Sequence, residues 1–210
     1  MTDTPSTPTP PLLSSQNNRR SFLKLLTASS VTVGGVVVAW PFLNSLNSQN
    51  TILEHSFVDV DISSLKTGQQ ITVTWQGHPV FILNRPKETL QTLQDASLVS
   101  HLRDPDSKDF QQPPYTQNWH RSIHPETAVL IGVCTHLGCV PTLQLSNKMG
   151  GLYNCTCHGS KFDLAGRVYK SMPAPYNLPV PPYTYIKPNI IRIGENPKGQ
   201  DFDFTKIKQL

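Results

Sequence analysis

An uncharged run, residues 25–43, constrains the fold of this 210-residue chain more than any other feature of its sequence. At about 1.5 Å rise per residue, an α-helix of this length nearly spans the ~30 Å hydrocarbon core of a bilayer. Its Val, Thr and Gly residues are poor helix formers in water, which disfavours the alternative of a buried helix in a soluble core. The run therefore predicts one transmembrane helix.

The segment RRSFLK, residues 19–24, lies directly before this apolar run. Twin arginines followed by x-Phe-Leu-Lys resemble the bacterial twin-arginine export signal. Because basic residues stay on the cytoplasmic side, we expect a cytoplasmic N-terminus and a periplasmic C-terminal part across a bacterial inner membrane. Residues 39–42, AWPF, do not fit a small-x-small cleavage site, so residues 19–43 are expected to be both the signal and an uncleaved single-pass anchor.

The regions on either side of the anchor are polar. Residues 1–18 combine four prolines with many Ser and Thr, which predicts a disordered cytoplasmic tail. Residues 44–56, NSLNSQNTILEHS, predict a flexible tether. From residue 57 to residue 210 the pattern changes to short alternating apolar runs, which predict an exported domain of short strands.

The pattern over residues 57–210 predicts an antiparallel all-β domain with one helix, at residues 87–103. Residues 70–75 and 79–83 flank Gln76-Gly77-His78, which indicates a β-hairpin. Further strands are expected at residues 57–62, 128–133, 151–153, 167–169, 183–186 and 190–193. Charged residues are only 15% of the chain and its net charge of +4 is spread out, so no nucleic-acid partner is expected.

All four cysteines lie in two loops, each of which also contains a histidine. The first loop is residues 134–139, CTHLGC, and the second is residues 155–160, CTCHGS. These six candidate ligands favour two thiolates and two imidazoles on metal, with two cysteines left over.

Three other kinds of site compete with this interpretation. Two structural disulfides suit an oxidising compartment but leave both histidines unexplained. Zinc motifs favour C-x2-4-C pairs, whereas these loops contain C-x-H and C-x-x-H with an extra cysteine in each. A thioredoxin-type thiol pair needs C-x-x-C, which neither loop contains. The remaining candidate is a [2Fe–2S] cluster with cysteine on one iron and histidine on the other.

CTHLGC together with C-x-CHGS resembles the signature of Rieske iron–sulfur proteins. The resemblance implies four ligands to one [2Fe–2S] cluster, two cysteines on one iron and two histidines on the other: Cys134 and Cys155, then His136 and His158. It also implies a disulfide between Cys139 and Cys157, which is characteristic of the quinol-oxidising branch of the family.

The ligand set and its neighbours bear on the redox potential. Two neutral imidazoles in place of two thiolates remove two negative charges, which makes electron uptake easier and raises the potential. Because imidazole is also a proton site, we expect coupled uptake of one electron and one proton. Ser160 matches the family serine whose hydroxyl bonds a cluster sulfide. Many high-potential members have Tyr where this chain has Phe162, which predicts a somewhat lower potential.

Residues 171–175, SMPAP, resemble the family's proline loop, which covers the cluster, although many members have Gly where Met172 stands. An apolar docking surface at the tip is expected from Leu137, Gly138 and Pro173. The family fold is three small, stacked antiparallel sheets, with a cluster-binding subdomain that we expect at about residues 127–175.

Most of the chain resembles a bacterial Rieske subunit of the cytochrome bc complex, ubiquinol–cytochrome c reductase. The resemblance implies that the subunit works with a cytochrome b subunit and a c-type cytochrome subunit in a dimeric complex. His158 would accept a hydrogen bond from ubiquinol and take up one electron and one proton. The head would then move on its tether and reduce the c-type cytochrome, with release of the proton.

Two other functions remain open at this stage. The Rieske small subunit of an arsenite-oxidase-like enzyme is also exported by twin arginines, but the long uncleaved anchor and the LGC tip favour the bc complex. A non-redox exported module held by zinc or disulfides is the alternative from another class. Colour and reducibility of the purified protein distinguish it from an iron–sulfur protein.

Overall fold

In a computed structural model the chain is described at residues 16–45, 57–145 and 150–210. Residues 1–15 of the predicted tail and residues 46–56 of the predicted tether lie outside the described residues. The described chain comprises one N-terminal helix and a mostly β unit within residues 57–210, here called the head.

Helix α1, Gln16–Ser45, extends slightly beyond the predicted anchor at both ends. Its part Asn18–Ser45 is long and apolar enough to cross a membrane. The hydroxyls of Thr27 and Thr32 donate to carbonyls four residues earlier, at 2.8 Å in each case. These bonds satisfy the polar groups within the helix, as a lipid environment requires.

The head contains three antiparallel sheets of three strands each, which confirms the predicted fold class. The first sheet has the order β2-β3-β4, with β2 at Gln70–Trp75, β3 at His78–Asn84 and β4 at Thr127–Ile131. The second has the order β1-β9-β8, with β1 at Val58–Asp61, β8 at Tyr183–Lys187 and β9 at Ile190–Ile193. The third has the order β5-β6-β7, with β5 at Thr142–Gln144, β6 at Leu152–Cys155 and β7 at Ser160–Phe162.

The predicted hairpin at residues 70–83 is confirmed. Gln76 and Gly77 both have positive φ, 49° and 78°, as a two-residue turn between right-twisted strands requires. The hairpin supplies Phe81 of β3, whose ring stacks on Tyr153 of β6 with the ring centroids 5.4 Å apart. The Tyr153 hydroxyl donates to Gln70 at 2.8 Å, so the third sheet is held against the first by both apolar and polar contacts.

The single helix predicted at residues 87–103 is wrong. Two short helices occur instead, α2 at Lys87–Leu93 and α3 at Ala96–Ser100. The chain is extended at Asp95, whose carboxylate accepts a hydrogen bond from the Ser97 amide at 2.8 Å. Asp95 is thus the N-cap of α3, and it interrupts a pattern that looks continuous in apolar periodicity.

A strand at residues 167–169 is not formed. Val168 and Tyr169 make single bridges to two different partners, Phe162 and Leu102, rather than one continuous ladder.

Short 3-10 helices occur at Pro114–Thr116 and Phe204–Lys206. Within the predicted subdomain, β4 pairs with β3 of the first sheet, whereas the third sheet contains strands from residues 142–162 only.

Candidate metal centre

The first loop, residues 134–139, follows β4 and closes on itself. The Cys134 amide donates to the Cys139 carbonyl at 2.8 Å, and the Gly138 amide donates to the Cys134 carbonyl at 2.9 Å. Gly138 has φ of +81°, a conformation that a side chain would strain. This tight loop holds Leu137 outward, with 71% of the residue exposed, and the neighbouring Val140 is 56% exposed.

The second loop, residues 155–160, is the tip of the β6–β7 hairpin. Cys155 and Ser160 face each other as the last pair of the ladder, and both are buried. The Gly159 amide donates to the Cys155 carbonyl at 2.9 Å, which closes the tip. His158 lies on the exposed side of this tip. The hairpin therefore holds one cysteine inside and one histidine outside.

Residues 171–175, here called the proline segment, lie against both loops. The Ala174 amide donates to the Ser160 hydroxyl at 3.0 Å. The Thr135 hydroxyl of the first loop donates to the Tyr176 carbonyl, just beyond the segment, at 2.7 Å. Pro173 is exposed, whereas Met172 is partly buried and packs against the core. Thr135 was not among the predicted site residues, because a single loop hydroxyl carries no signal in sequence.

The four cysteines fall into two chemically different pairs. A disulfide joins Cys139 of the first loop to Cys157 of the second, and Cys134 and Cys155 are buried free thiols. The Cys155 sulfur lies within 4.8 Å of both disulfide sulfurs, so the pairs are adjacent. Burial raises the pKa of the Cys134 thiol, and hydrogen bonds from the His136 amide and the Ser160 hydroxyl oppose that rise.

The two loop histidines lie side by side. The ring centroids of His136 and His158 are 4.7 Å apart and the ring planes are nearly perpendicular, at 86°. Nδ1 of His136 is buried and has no hydrogen-bond partner. A buried ring nitrogen without a partner costs free energy, which a metal ion bound at that nitrogen would recover. Two free buried thiols and two adjacent imidazoles on the same pair of loops therefore fit a thiolate- and imidazole-bound iron centre.

Three buried arginines converge on the turn at residues 163–167, directly after β7. Each guanidinium donates to a different residue of this turn: Arg85 to the Leu164 carbonyl at 3.2 Å, Arg121 to the Ala165 carbonyl at 3.0 Å and Arg167 to the Asp163 carboxylate at 2.7 Å. Burial lowers the pKa of Arg85 to about 10 and that of Arg121 to about 9, so both stay charged at neutral pH.

Sequence reasoning missed this arginine cluster. The available signal was Asp163, the sole acidic residue between residues 127 and 194, four residues before Arg167. The sole acidic residue of a long stretch, with a basic residue four positions later, is a candidate for a buried ion pair. Because Asp163 is buried in that pair, it adds no charge to the exposed tip.

The chain was compared with protein families and with known proteins. The family described as Rieske [2Fe-2S] domain matches residues 55–183, and the family described as Ubiquitinol-cytochrome C reductase Fe-S subunit TAT signal matches residues 13–49. The ubiquinol-cytochrome c reductase iron-sulfur subunit of Rickettsia felis is 42% identical over 179 residues, which cover 85% of this chain and 94% of that protein. The corresponding protein of Allochromatium vinosum is 40% identical, over 88% of this chain and 93% of its own.

Among solved structures, one described as a hyperthermophilic respiratory complex III matches with a TM-score of 0.45 and 20% sequence identity. The match covers 80% of this chain and 98% of that chain.

Proposed function

The chain belongs to the Rieske iron–sulfur subunits of ubiquinol–cytochrome c reductase, and from this premise we propose that its head takes electrons singly from ubiquinol and passes them to a c-type cytochrome. A Rieske domain binds a [2Fe–2S] cluster, and a twin-arginine signal with an apolar helix indicates membrane-anchored export. The observation that carries the proposal is the pair of adjacent loop histidines beside two free buried thiols.

We propose that Cys134 and Cys155 hold one iron and that His136 and His158 hold the other. The division is supported by the disulfide, which removes Cys139 from the ligand candidates together with its partner. It is also supported by the unpartnered Nδ1 of His136. When bound, the cluster supplies a one-electron acceptor whose potential is raised by its neutral histidine ligands.

The two histidines have different surroundings, and the difference assigns their roles. His136 is half-buried, whereas His158 is exposed at the tip. With Nδ1 turned to the metal, Nε2 of His158 remains available to accept a hydrogen bond from the ubiquinol hydroxyl and then its proton. Electron uptake and proton uptake are therefore coupled, and the proton is released once the electron has moved on.

We propose that the docking surface comprises the three residues expected from the sequence, Leu137, Gly138 and Pro173, together with the exposed Val140. All of these residues belong to the first loop, the proline segment or their immediate neighbours. An exposed apolar tip of this kind fits a transient contact with a hydrophobic quinol site in the cytochrome b subunit. The orientation that suits this contact has the N-terminus in the cytoplasm and the head in the periplasm, in a dimeric complex of the inner membrane.

A matched pair of variants tests this function in isolated membranes. Leu137→Asp places a charge on the proposed docking surface, while Ile186→Asp does so at a similarly apolar exposed residue of β8. We expect both variants to keep the electron paramagnetic resonance signal of the reduced cluster. Only Leu137→Asp should lose ubiquinol-dependent reduction of cytochrome c, by at least tenfold. Equal activities of the two variants would contradict the docking surface.

Metal analysis of the purified complex tests the centre itself. We expect non-haem iron and acid-labile sulfide in equal amounts, two of each per chain. Zinc without sulfide would support the exported zinc module instead. A midpoint potential that stays constant as the pH rises through the alkaline range would rule out coupled proton uptake at the histidines.

A further inference from the structure

A side chain outside the two loops holds the proline segment at both ends. The guanidinium of Arg103, just after α3, donates from Nη2 to the Met172 carbonyl at 2.8 Å and from Nη1 to the Pro175 carbonyl at 3.2 Å. These two carbonyls lie on either side of Pro173 and Ala174. The planar fork of arginine suits two separate acceptors, whereas the single ammonium of lysine does not hold both in fixed geometry.

Backbone hydrogen bonds fix the main-chain position of Arg103, from which its side chain extends. The Arg103 amide donates to the Val168 carbonyl at 2.9 Å, and the Lys170 amide donates to the His101 carbonyl at 2.8 Å. The buried Leu102 forms a bridge with Tyr169 between these two bonds. The segment around Arg103 is therefore tied to the chain that leads into the proline segment, and its side chain spans the segment itself.

The proline segment in turn sets the Ser160 hydroxyl. Between the two carbonyls held by Arg103, the buried Ala174 amide donates to Oγ of Ser160 at 3.0 Å. A hydroxyl has one hydrogen to donate, and an oxygen that already accepts from an amide is held in place with that hydrogen free. Ser160 pairs with Cys155 as the last residues of the β6–β7 ladder, and its hydroxyl lies close enough to the Cys134 sulfur to lower the pKa of that thiol. A displacement of Ala174 would therefore displace the hydroxyl that faces this sulfur.

We propose that Arg103 is a positioning residue for the metal centre. Arg103 acts through Ala174 and Ser160, and it sets how strongly the Ser160 hydroxyl stabilises negative charge on the Cys134 sulfur. This inference rests on the proposed function, because it takes Cys134 as an iron ligand. The sulfur becomes more negative when the centre is reduced, so a well-placed hydroxyl favours the reduced form. Loss of the Arg103 clamp therefore lowers the midpoint potential.

The charge of Arg103 would itself favour reduction, and two controls separate charge from position. Arg103→Lys keeps the charge and loses the two-carbonyl clamp. Lys170→Ala removes a neighbouring exposed cation, whose ammonium donates to the Ser100 carbonyl and not to the proline segment. A purely electrostatic effect would spare Arg103→Lys and appear in Lys170→Ala.

The experiment is a redox titration of the whole complex, followed by electron paramagnetic resonance, on Arg103→Ala, Arg103→Lys, Lys170→Ala, Ser160→Ala and the double variant Arg103→Ala/Ser160→Ala. We expect Arg103→Ala to reduce the equilibrium constant for electron uptake roughly threefold, about 30 mV at 59 mV per tenfold for one electron. Arg103→Lys should show part of this shift and Lys170→Ala much less. In the Ser160→Ala background the Arg103→Ala shift should shrink to the part that Arg103→Lys does not show, which is the effect of the charge.

Hydrogen–deuterium exchange at residues 171–176 gives a readout that does not depend on the iron. We expect faster exchange of the Ala174 amide in Arg103→Ala and unchanged exchange in Lys170→Ala. The inference is overturned by an unchanged potential in Arg103→Ala, by an equal shift in Lys170→Ala, or by a shift of undiminished size in the Ser160→Ala background. If the unmodified complex contains no non-haem iron and no acid-labile sulfide, the proposed function fails, whereas these outcomes refute Arg103 alone.

Discussion

The two ends of β7 lie in contrasting surroundings. Its first residue, Ser160, is buried at the base of the exposed tip, where a disulfide joins the two loops and hydrogen bonds tie them to Ala174 and Tyr176. Its last residue, Phe162, leads into the buried turn at residues 163–167, which three arginines hold by charged hydrogen bonds. The outer side of the tip is exposed, at Leu137 and Val140, so burial contributes little to its stability. Its rigidity therefore comes from cross-links within it and from the anchored turn next to it.

The buried turn shows how such an anchor can tolerate charge. Arg85 donates to the carbonyls of His120 and Pro125 and to the Ser122 hydroxyl, in addition to its bond to the turn. A buried guanidinium is costly unless its donors are paired, and these are paired largely with backbone carbonyls. Such bonds hold together backbone segments that are far apart in sequence. The arginine cluster therefore stabilises the fold and is not a reactive site.

The largest expected effect is on cluster content, and it distinguishes the free cysteines at the tip from the disulfide-bonded ones. Cys134→Ser removes a proposed ligand and should abolish the cluster, with non-haem iron and acid-labile sulfide falling to background. Cys139→Ser removes one sulfur of the disulfide and should leave part of the cluster, which is lost faster on warming because the loops are no longer linked. Chemical analysis of iron and sulfide per chain measures both. Equally complete loss in the two variants would contradict the division into ligand and cross-link.

A second test compares the buried anchor with an exposed ion pair through one type of substitution. Asp163→Asn leaves the Arg167 cation buried without its counter-charge, and we expect a cost of about 3–5 kcal/mol. With a slope of roughly 2 kcal/mol per molar urea, the unfolding midpoint should fall by about 2 M. Asp59→Asn breaks the more exposed pair with Arg192 and should change the midpoint much less. Tryptophan fluorescence of the full chain in detergent follows both, and equal shifts would show that the turn is not an anchor.

The residues of the candidate site could be identified from the sequence more easily than the contacts that hold the site in place. The reason is that the site residues are close together in sequence, whereas the supporting contacts join residues far apart. The ligand residues are recognisable because two short loops contain nearly all of the metal chemistry in local spacing. The same applies to the hairpin at residues 70–83, whose turn residues are adjacent in sequence. The strands β5 and β7 are three residues long, too short for an alternating pattern to be read.

Most of the supporting contacts leave no local trace in the sequence, and the pair Asp163–Arg167, four residues apart, is the exception. Arg103 reaches carbonyls 69 and 72 residues away, and Arg85 reaches the turn at residue 164 from 79 residues away. Arginine is usually a surface residue, so composition predicts exposure for all of them. The break in the helix at Asp95 had a visible signal, since Asp is a preferred N-cap, but apolar periodicity suggested one continuous helix.

A smaller effect on the midpoint potential is expected at Phe162, the buried last residue of β7. Phe162→Tyr tests whether a side chain at this end of the strand can change the potential of the centre at the tip. If the new hydroxyl donates to a ligand sulfur, as the family resemblance implies, the midpoint potential should rise by about 40 mV, the equivalent of ~1 kcal/mol for one electron. Phe81→Tyr adds a hydroxyl to another buried ring, stacked on Tyr153, and should leave the potential unchanged. A redox titration of both variants decides, and an unchanged potential in Phe162→Tyr would place its ring out of reach of the sulfurs.

The smallest effect is a pH dependence within the arginine cluster. Burial, and then the charge of Arg85, lowers the pKa of His120 to about 4. The unfolded chain therefore binds a proton at this histidine below about pH 6.5 that the folded head does not, so the His120 contribution to stability is lost as the pH falls from 6.5 towards 4. His120→Gln removes this contribution. The difference in urea midpoint between the original chain and the variant should be constant from pH 8 to 7 and should shift in favour of the variant below pH 6. A difference that does not change down to pH 4.5 would mean that water and protons reach the cluster as freely as they reach the tip.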